Sequence, residues 1–218
     1  MKKDIKVILF DSDGVLAHTE ELFFEINGKC FAAIGIPYPR EAFEHHTFLT
    51  DLGTAGFMKN LGCSAEQIRE FRTNRNRLWQ EAITESNVVD AAAEAVFTSL
   101  KEKYKIGIVT NTNRENFEKT YHDSNIPTMA DFVITRENYK NGKPAPDGYF
   151  EGLKRAHVSS QEAIVIEDSP RGIAAAKSAE ITTVVIPNPV IENLDVSEAD
   201  YNISSLSELP KLLEKITT

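Results

Sequence analysis

The chain has 218 residues, of which 41% are hydrophobic and 26% charged, the proportions of a soluble globular protein with room for one medium domain, or for one domain carrying a smaller insert. Its formal net charge of −9 sets the surface against polyanions, so neither a nucleic acid nor an anionic membrane is expected as a partner. Cys30 and Cys63 form no CxxC pair, which argues against a disulfide framework or a zinc site and fits reduced thiols in the cytoplasm. The apolar run behind the first lysines, Val7 to Phe10, is too short for a signal-peptide core or a membrane span.

In chain order, Ile5 to Phe10 reads as a buried strand that ends abruptly at Asp11-Ser12-Asp13-Gly14, a loop. From Glu20 to Ala33 the apolar residues Leu22, Phe23, Ile26, Phe31 and Ala33 recur at helical spacing, and Gly35-Ile36-Pro37 stops that helix. Further helices are expected over Thr50 to Leu61, over Ser64 to Ile83 with Ser64 and Gln67 as a capping box, and over Asp90 to Lys103. On the second of these, Arg69, Arg72, Arg75 and Arg77 alternate with Glu66, Glu70 and Glu81 and read as a solvated face.

After Tyr104 the pattern alternates. Strands are expected at Ile106 to Thr110, Phe132 to Ile134, Ala163 to Ile166 and Thr182 to Ile186, and helices at Arg114 to Asp123, Asp147 to Ala156, Ser169 to Ala179 and Ser205 to Ile216. Strands separated by helices of this length imply an α/β fold, a doubly wound Rossmann-like parallel sheet with helices on both faces. The expected organisation is a core of 1–16 and 89–218 with an all-helical insert at 17–88.

In such a sheet the loops at the carboxyl ends of the strands converge on a crevice at the topological switch point. The strand ends here carry Asp11 and Asp13, Thr110 and Asn111, and Glu167 and Asp168, while Lys143 stands in the loop before Pro144. Carboxylates gathered in one place repel one another unless cations neutralise them, and Lys143 supplies one cation. Oxygen ligands without histidine or cysteine favour a hard ion, magnesium (Mg2+) ahead of zinc. The constellation suits an anionic phosphate held against a carboxylate.

The ordered set Asp11-x-Asp13-Gly14, Thr110, Lys143-Pro144 and Glu167-Asp168 resembles the four motifs of the haloacid dehalogenase superfamily. Lys143-Pro144-Ala145-Pro146-Asp147, Glu167-Asp168-Ser169-Pro170-Arg171-Gly172-Ile173 and the helical insert resemble its phosphoglycolate-phosphatase and beta-phosphoglucomutase branch. The resemblance implies a phosphatase of a small phosphorylated metabolite. Asp11 would be the nucleophile, forming an aspartyl-phosphate, and Asp13 the general acid and base. Thr110, through its hydroxyl and backbone donors, Asn111 and Lys143 would bind the transferring phosphoryl group. Asp11, the Asp13 carbonyl and Asp168 would ligate magnesium, with Glu167 supporting the metal shell.

The same resemblance makes the insert a cap, with His18, Glu20, His45, His46 and Thr47 as candidate substrate contacts at its hinge and first turn. Ser12 stands where bulky apolar residues are common in relatives, and His18 where an acid or a small residue is. The run His45-His46-Thr47-Phe48-Leu49-Thr50 lacks the basic residues with which beta-phosphoglucomutases grip a second phosphate, so a mutase is the alternative rather than the first reading. Asp13 disfavours haloacid dehalogenases and phosphonoacetaldehyde hydrolases, which lack a second aspartate. A signalling receiver or other non-catalytic binding protein, the reading from another class, would need no helical insert. A monomer is the expected state, since a capped enzyme of this length needs no partner to complete its site.

Overall fold

A computed structural model describes residues 3–217 except Asp51 and Glu192. The chain divides into two compact units, Met1–His18 with Val89–Thr218, and Thr19–Val88. Ala17, expected to open the insert, instead bridges to Asp13 and Val89. The Asp90 N–H also bonds to the Leu16 carbonyl at 2.9 Å, which holds both chain crossings to the sheet unit as far as His18.

The sheet unit begins with strand β1 (Val7–Phe10). After the helical unit come α5 (Ala93–Leu100), β2 (Lys105–Val109), α6 (Arg114–Thr120), α7 (Ile126–Met129), β3 (Phe132–Ile134) and α8 (Asp147–Ala156). Then follow β4 (Ala163–Glu167), α9 (Pro170–Ser178), β5 (Thr182–Val185), β6 (Tyr201–Asn202) and α10 (Leu209–Ile216). The six strands run parallel in the order β3-β2-β1-β4-β5-β6, the doubly wound arrangement, with the order reversing beside β1. β1 and β4 are buried on both faces, which is why their sequences are unbroken apolar runs up to Glu167 rather than alternating ones. On one face Val7, Leu9, Val109 and Val165 pack with Tyr149 and Leu153 of α8 and Ala175 and Ala176 of α9. On the other, Phe10 meets Phe97 of α5 at 4.8 Å between ring centres.

The helical unit contains α1 (Glu20–Ala33), α2 (Arg40–Glu44), a π-helical turn over His45–Leu49, α3 (Gly53–Asn60) and α4 (Ala65–Thr84). Ser64 caps α4 through the expected box, its hydroxyl taking the Gln67 N–H and its own N–H bonding to the Gln67 side chain. The helix expected to start at Thr50 begins at Gly53 instead, and Asp51 lies outside the described residues. The run from His45 to Leu49, expected within a turn, is helical and continues from α2. Its β-branched and histidine residues are weak helix formers, and Phe43 ties it down by packing on Phe24 and Phe48 at 5.2 and 5.5 Å. The arginine face is only partly solvated. Arg69, Arg72 and Arg77 are exposed, whereas Arg75 turns inward to donate to Thr54 Oγ1 at 3.0 Å and lies over the Phe23 ring. No described helix is long and apolar enough to cross a membrane.

Candidate active site

β1 delivers Asp11 to the switch point, and the Asp11 N–H closes on the Ile166 carbonyl at 2.9 Å, placing it beside the end of β4. The chain then doubles back. Gly14 takes a left-handed φ of 83°, which a side chain resists, and the Ser12 carbonyl accepts the N–H groups of Leu16 and Ala17 at 2.9 and 3.0 Å. This turn aims the Asp13 carboxylate at the loop after β2. There Oδ2 accepts the hydroxyls of Thr112 at 2.8 Å and Thr110 at 3.2 Å. Ser12, between the two aspartates, shares a buried 3.0 Å hydrogen bond with the hydroxyl of Tyr121.

Lys143 enters from the loop before α8. Asn111 Oδ1 accepts the Lys143 N–H at 3.0 Å, and the Tyr139 hydroxyl lies 2.8 Å from that same oxygen and 2.7 Å from the Thr110 carbonyl. The Lys143 ammonium then donates to Asp11 Oδ1 at 2.5 Å, Glu167 Oε1 at 2.7 Å and the Val109 carbonyl at 3.2 Å. Tyr149 of α8 donates its hydroxyl to the same Glu167 oxygen at 2.8 Å. Asp168 accepts from the Asn188 side chain at 2.9 Å.

One buried ammonium thus faces two buried carboxylates. Burial alone would lower Lys143, but Asp11 and Glu167 hold it well above its ordinary range. Burial pushes Glu167 upward, yet the Lys143 charge and the donors around it carry it below the ordinary carboxylate range. Asp11 goes the other way. Burial pushes it up to about 7, Lys143 pulls it down, and the charges of Glu167 and Asp13 add to the rise. Asp11 is the carboxylate for which the lysine does not suffice.

Asp11, Glu167 and Asp168, all buried, place one ligand oxygen each within 4.8 Å of the others. Three carboxylates with one lysine and no nitrogen or sulfur donor suit a hard divalent cation. The Asp13 carboxylate is not in this group, being turned to Thr110 and Thr112.

The residues expected at the strand ends are therefore brought together, with two differences of detail. The Thr110 N–H bonds to the Ile134 carbonyl at 3.0 Å as part of the ladder between β2 and β3, so it is not the backbone donor expected of it. The Asn111 side chain serves Lys143, accepting its N–H and lying 3.5 Å from its carbonyl. Thr112, Tyr139, Tyr149 and Asn188 were not expected. Only Thr112 carried a signal, a hydroxyl two residues beyond Thr110 in the same strand-end loop.

The hinge and insert candidates divide differently. His18 belongs to the sheet unit and is exposed, its Nε2 3.0 Å from Asp90 Oδ2. Glu20 is buried at the start of α1. His45 is exposed, Thr47 half-buried, and His46 buried against the Phe57 ring at 5.0 Å, its pKa lowered first by burial and then by His45.

The doubly wound parallel sheet thus sets a buried aspartate, its lysine and two further acids together at the switch point. The chain belongs to the haloacid dehalogenase-like hydrolase family, whose model matches residues 8–186. It is similar to the pyrophosphatase PpaX of Listeria innocua, 28% identical over 218 residues with 96% of each chain covered. It is also similar to (DL)-glycerol-3-phosphatase 2 of Arabidopsis thaliana, 27% identical over 214 residues, covering 91% of this chain and 86% of that one. Its fold matches the crystal structure of CbbY from Rhodobacter sphaeroides in complex with phosphate, with a TM-score of 0.81, 24% identity and coverage of 94% and 96%.

Proposed function

We propose that the protein is a magnesium-dependent phosphatase of small phosphorylated metabolites that works through a phosphorylated Asp11. The observation that carries this reading is the asymmetry of Asp11. Its Oδ1 is taken by Lys143, and its Oδ2 receives no side-chain hydrogen bond from the described residues. In the first step Oδ2 attacks phosphorus, the phosphorus–oxygen ester bond breaks, and Asp13 gives its proton to the leaving oxygen. In the second, Asp13 takes a proton from water, the hydroxide attacks the phosphoryl group, and the bond to Asp11 breaks to release phosphate. Splitting one displacement into two is what a carboxylate nucleophile contributes.

Thr110 and Thr112 orient Asp13 for both transfers, and Lys143 offsets charge on Asp11 and the phosphoryl oxygens. Magnesium, when bound at Asp11 and Asp168 with the Asp13 carbonyl, supplies positive charge against the phosphate and its transition state. The helical unit is the proposed cap that reads the rest of the substrate, with Glu20, His45, His46 and Thr47 as its candidates, His45 at an exposed position, and His18 as an exposed candidate on the sheet unit. Relatives named for pyrophosphate and for glycerol 3-phosphate support a small phosphorylated substrate rather than a macromolecule. A cytoplasmic monomer is the state proposed, checked by sedimentation and by cell fractionation.

The test is phosphate release from an aryl phosphate and a panel of phosphorylated metabolites, with and without magnesium, beside Asp11→Asn. Magnesium-dependent release lost by at least about 10³-fold in the variant supports the aspartyl-phosphate. Release independent of magnesium, or undiminished in the variant, overturns it, and an isomerised sugar phosphate without free phosphate makes the protein a mutase.

A further inference from the structure

Three buried carboxylates stand within reach of one cation, but their oxygens are not equally available. Glu167 Oε1 accepts from Lys143 at 2.7 Å and from Tyr149 at 2.8 Å. Its Oε2 accepts the N–H of Asp168 at 3.0 Å, the N–H of Ser169 at 3.2 Å and the Ser169 hydroxyl at 3.1 Å. An ionised carboxylate offers about four acceptor positions, so these five donors exhaust it. The protein has also cleared space for the group in this orientation. A Cβ at Gly172 of α9 would lie 1.8 Å from Glu167 Oε1, so the helix approaches the carboxylate at the one residue that lets it. Asp11, by contrast, carries a single side-chain hydrogen bond among the described residues, from Lys143.

From this we infer that Glu167 is not a ligand of the cation but the anchor of Lys143, with Tyr149 as a second positioning residue for the same ammonium. Lys143 would otherwise be a flexible chain with three donors and several rotamers. Glu167 and the Val109 carbonyl fix two of those donors, so the third points at Asp11 Oδ1. The Tyr149 ring, 5.2 Å from the ammonium, adds a face that favours a cation, and its hydroxyl stops Glu167 from rotating away. The cation is left to Asp11 and Asp168.

The inference rests on the magnesium-dependent reading above, and calorimetric titration of the protein with magnesium alone separates the two. A wild-type chain that takes up no magnesium overturns both. Given binding, the deciding variant is the double Glu167→Gln, Lys143→Met, which conserves the net charge of the site. The glutamine can keep its oxygen on the Asp168 and Ser169 N–H groups and its amide on the Tyr149 hydroxyl. Magnesium affinity is expected to stay within about tenfold of wild type, while Asp168→Ala loses more than about a hundredfold. A double variant that loses as much as Asp168→Ala overturns the inference.

Tyr149→Phe tests the positioning role in the otherwise intact enzyme. The expected result is a kcat lower by about 3- to 10-fold, the size of one net hydrogen bond, with KM and magnesium affinity unchanged. An unchanged kcat, or a change confined to KM or to metal affinity, overturns that role.

Discussion

The two units treat their buried polar groups in opposite ways. In the sheet unit the charged groups at the switch point are knitted to one another, Lys143 to Asp11 and Glu167, Tyr149 to Glu167, Asn188 to Asp168. In the helical unit several buried atoms, Asn27 Oδ1, Arg40 Nη1, His46 Nδ1 and Arg75 Nε, have no hydrogen-bond partner, and among the described residues such atoms occur in that unit alone. The difference matches the division of labour proposed above. Reagents that must sit in one geometry for every turnover are fixed by mutual contacts. The helical unit carries no such reagents, and its buried polar atoms are under no such constraint. Arg75 is the clearest case in the helical unit, since burial lowers its pKa to about 10, its Nε has no partner and no carboxylate among the described residues pairs with it.

On that contrast, substitutions in the two units should differ in stability far more than their burial suggests. The largest effect is expected from Lys143→Met alone, which strands Asp11 and Glu167 as unpaired buried anions. In a chelator it should cost about 3–5 kcal/mol of unfolding free energy, with magnesium restoring part. Denaturant unfolding reads this directly, and a loss below about 1 kcal/mol would break the contrast. Gly172→Ala comes next, because the new methyl must displace the Glu167 carboxylate or push α9 off the sheet. A destabilisation of about 1–3 kcal/mol and a fall in kcat are expected together, and either without the other would separate packing from positioning.

Thr112→Val removes one of the two hydroxyls on Asp13 and keeps the shape. About 1 kcal/mol is at stake, seen as a kcat lower by about 5- to 10-fold at unchanged KM. Arg75→Met should do least. It trades a buried guanidinium without a carboxylate for an apolar chain, so the melting temperature should hold or rise, by no more than about 1 kcal/mol in free energy. A loss above about 2 kcal/mol would show that the helical unit depends on its arginine as the sheet unit depends on its lysine.

Much of the site was legible because of where parallel strands end. Asp11, Thr110 and Glu167-Asp168 each follow an apolar run, and the doubly wound topology forces the ends of such runs into one crevice whatever the intervening chain does. Lys143 was legible from its place in the ordered motif. α1, α4 and α8 were legible for a local reason, since their apolar periodicity, the Ser64 cap and the length of each segment all act within the helix itself. The elements that were not legible are short. α7 has four residues and β6 has two, too few for propensity or pattern to register, and both exist because neighbouring elements hold them.

What the sequence determined by itself, then, was the alternation of strands and helices, the insertion of a helical segment, and the set of reactive side chains at the strand ends. Each follows from patterns local to the chain or from a topological rule with few exceptions. The allocation of bonds within the site was decided only by tertiary structure. Glu167 and Asp168 are adjacent letters, yet one carboxylate is folded back onto Lys143, Tyr149 and its own following N–H groups while the other faces Asn188. That choice depends on how closely α9 approaches at Gly172 and how α8 is rotated to present Tyr149, distances of a few ångströms set by how these neighbouring elements pack on the sheet. No local pattern encodes such distances, because they emerge from the packing of the whole sheet against its helices.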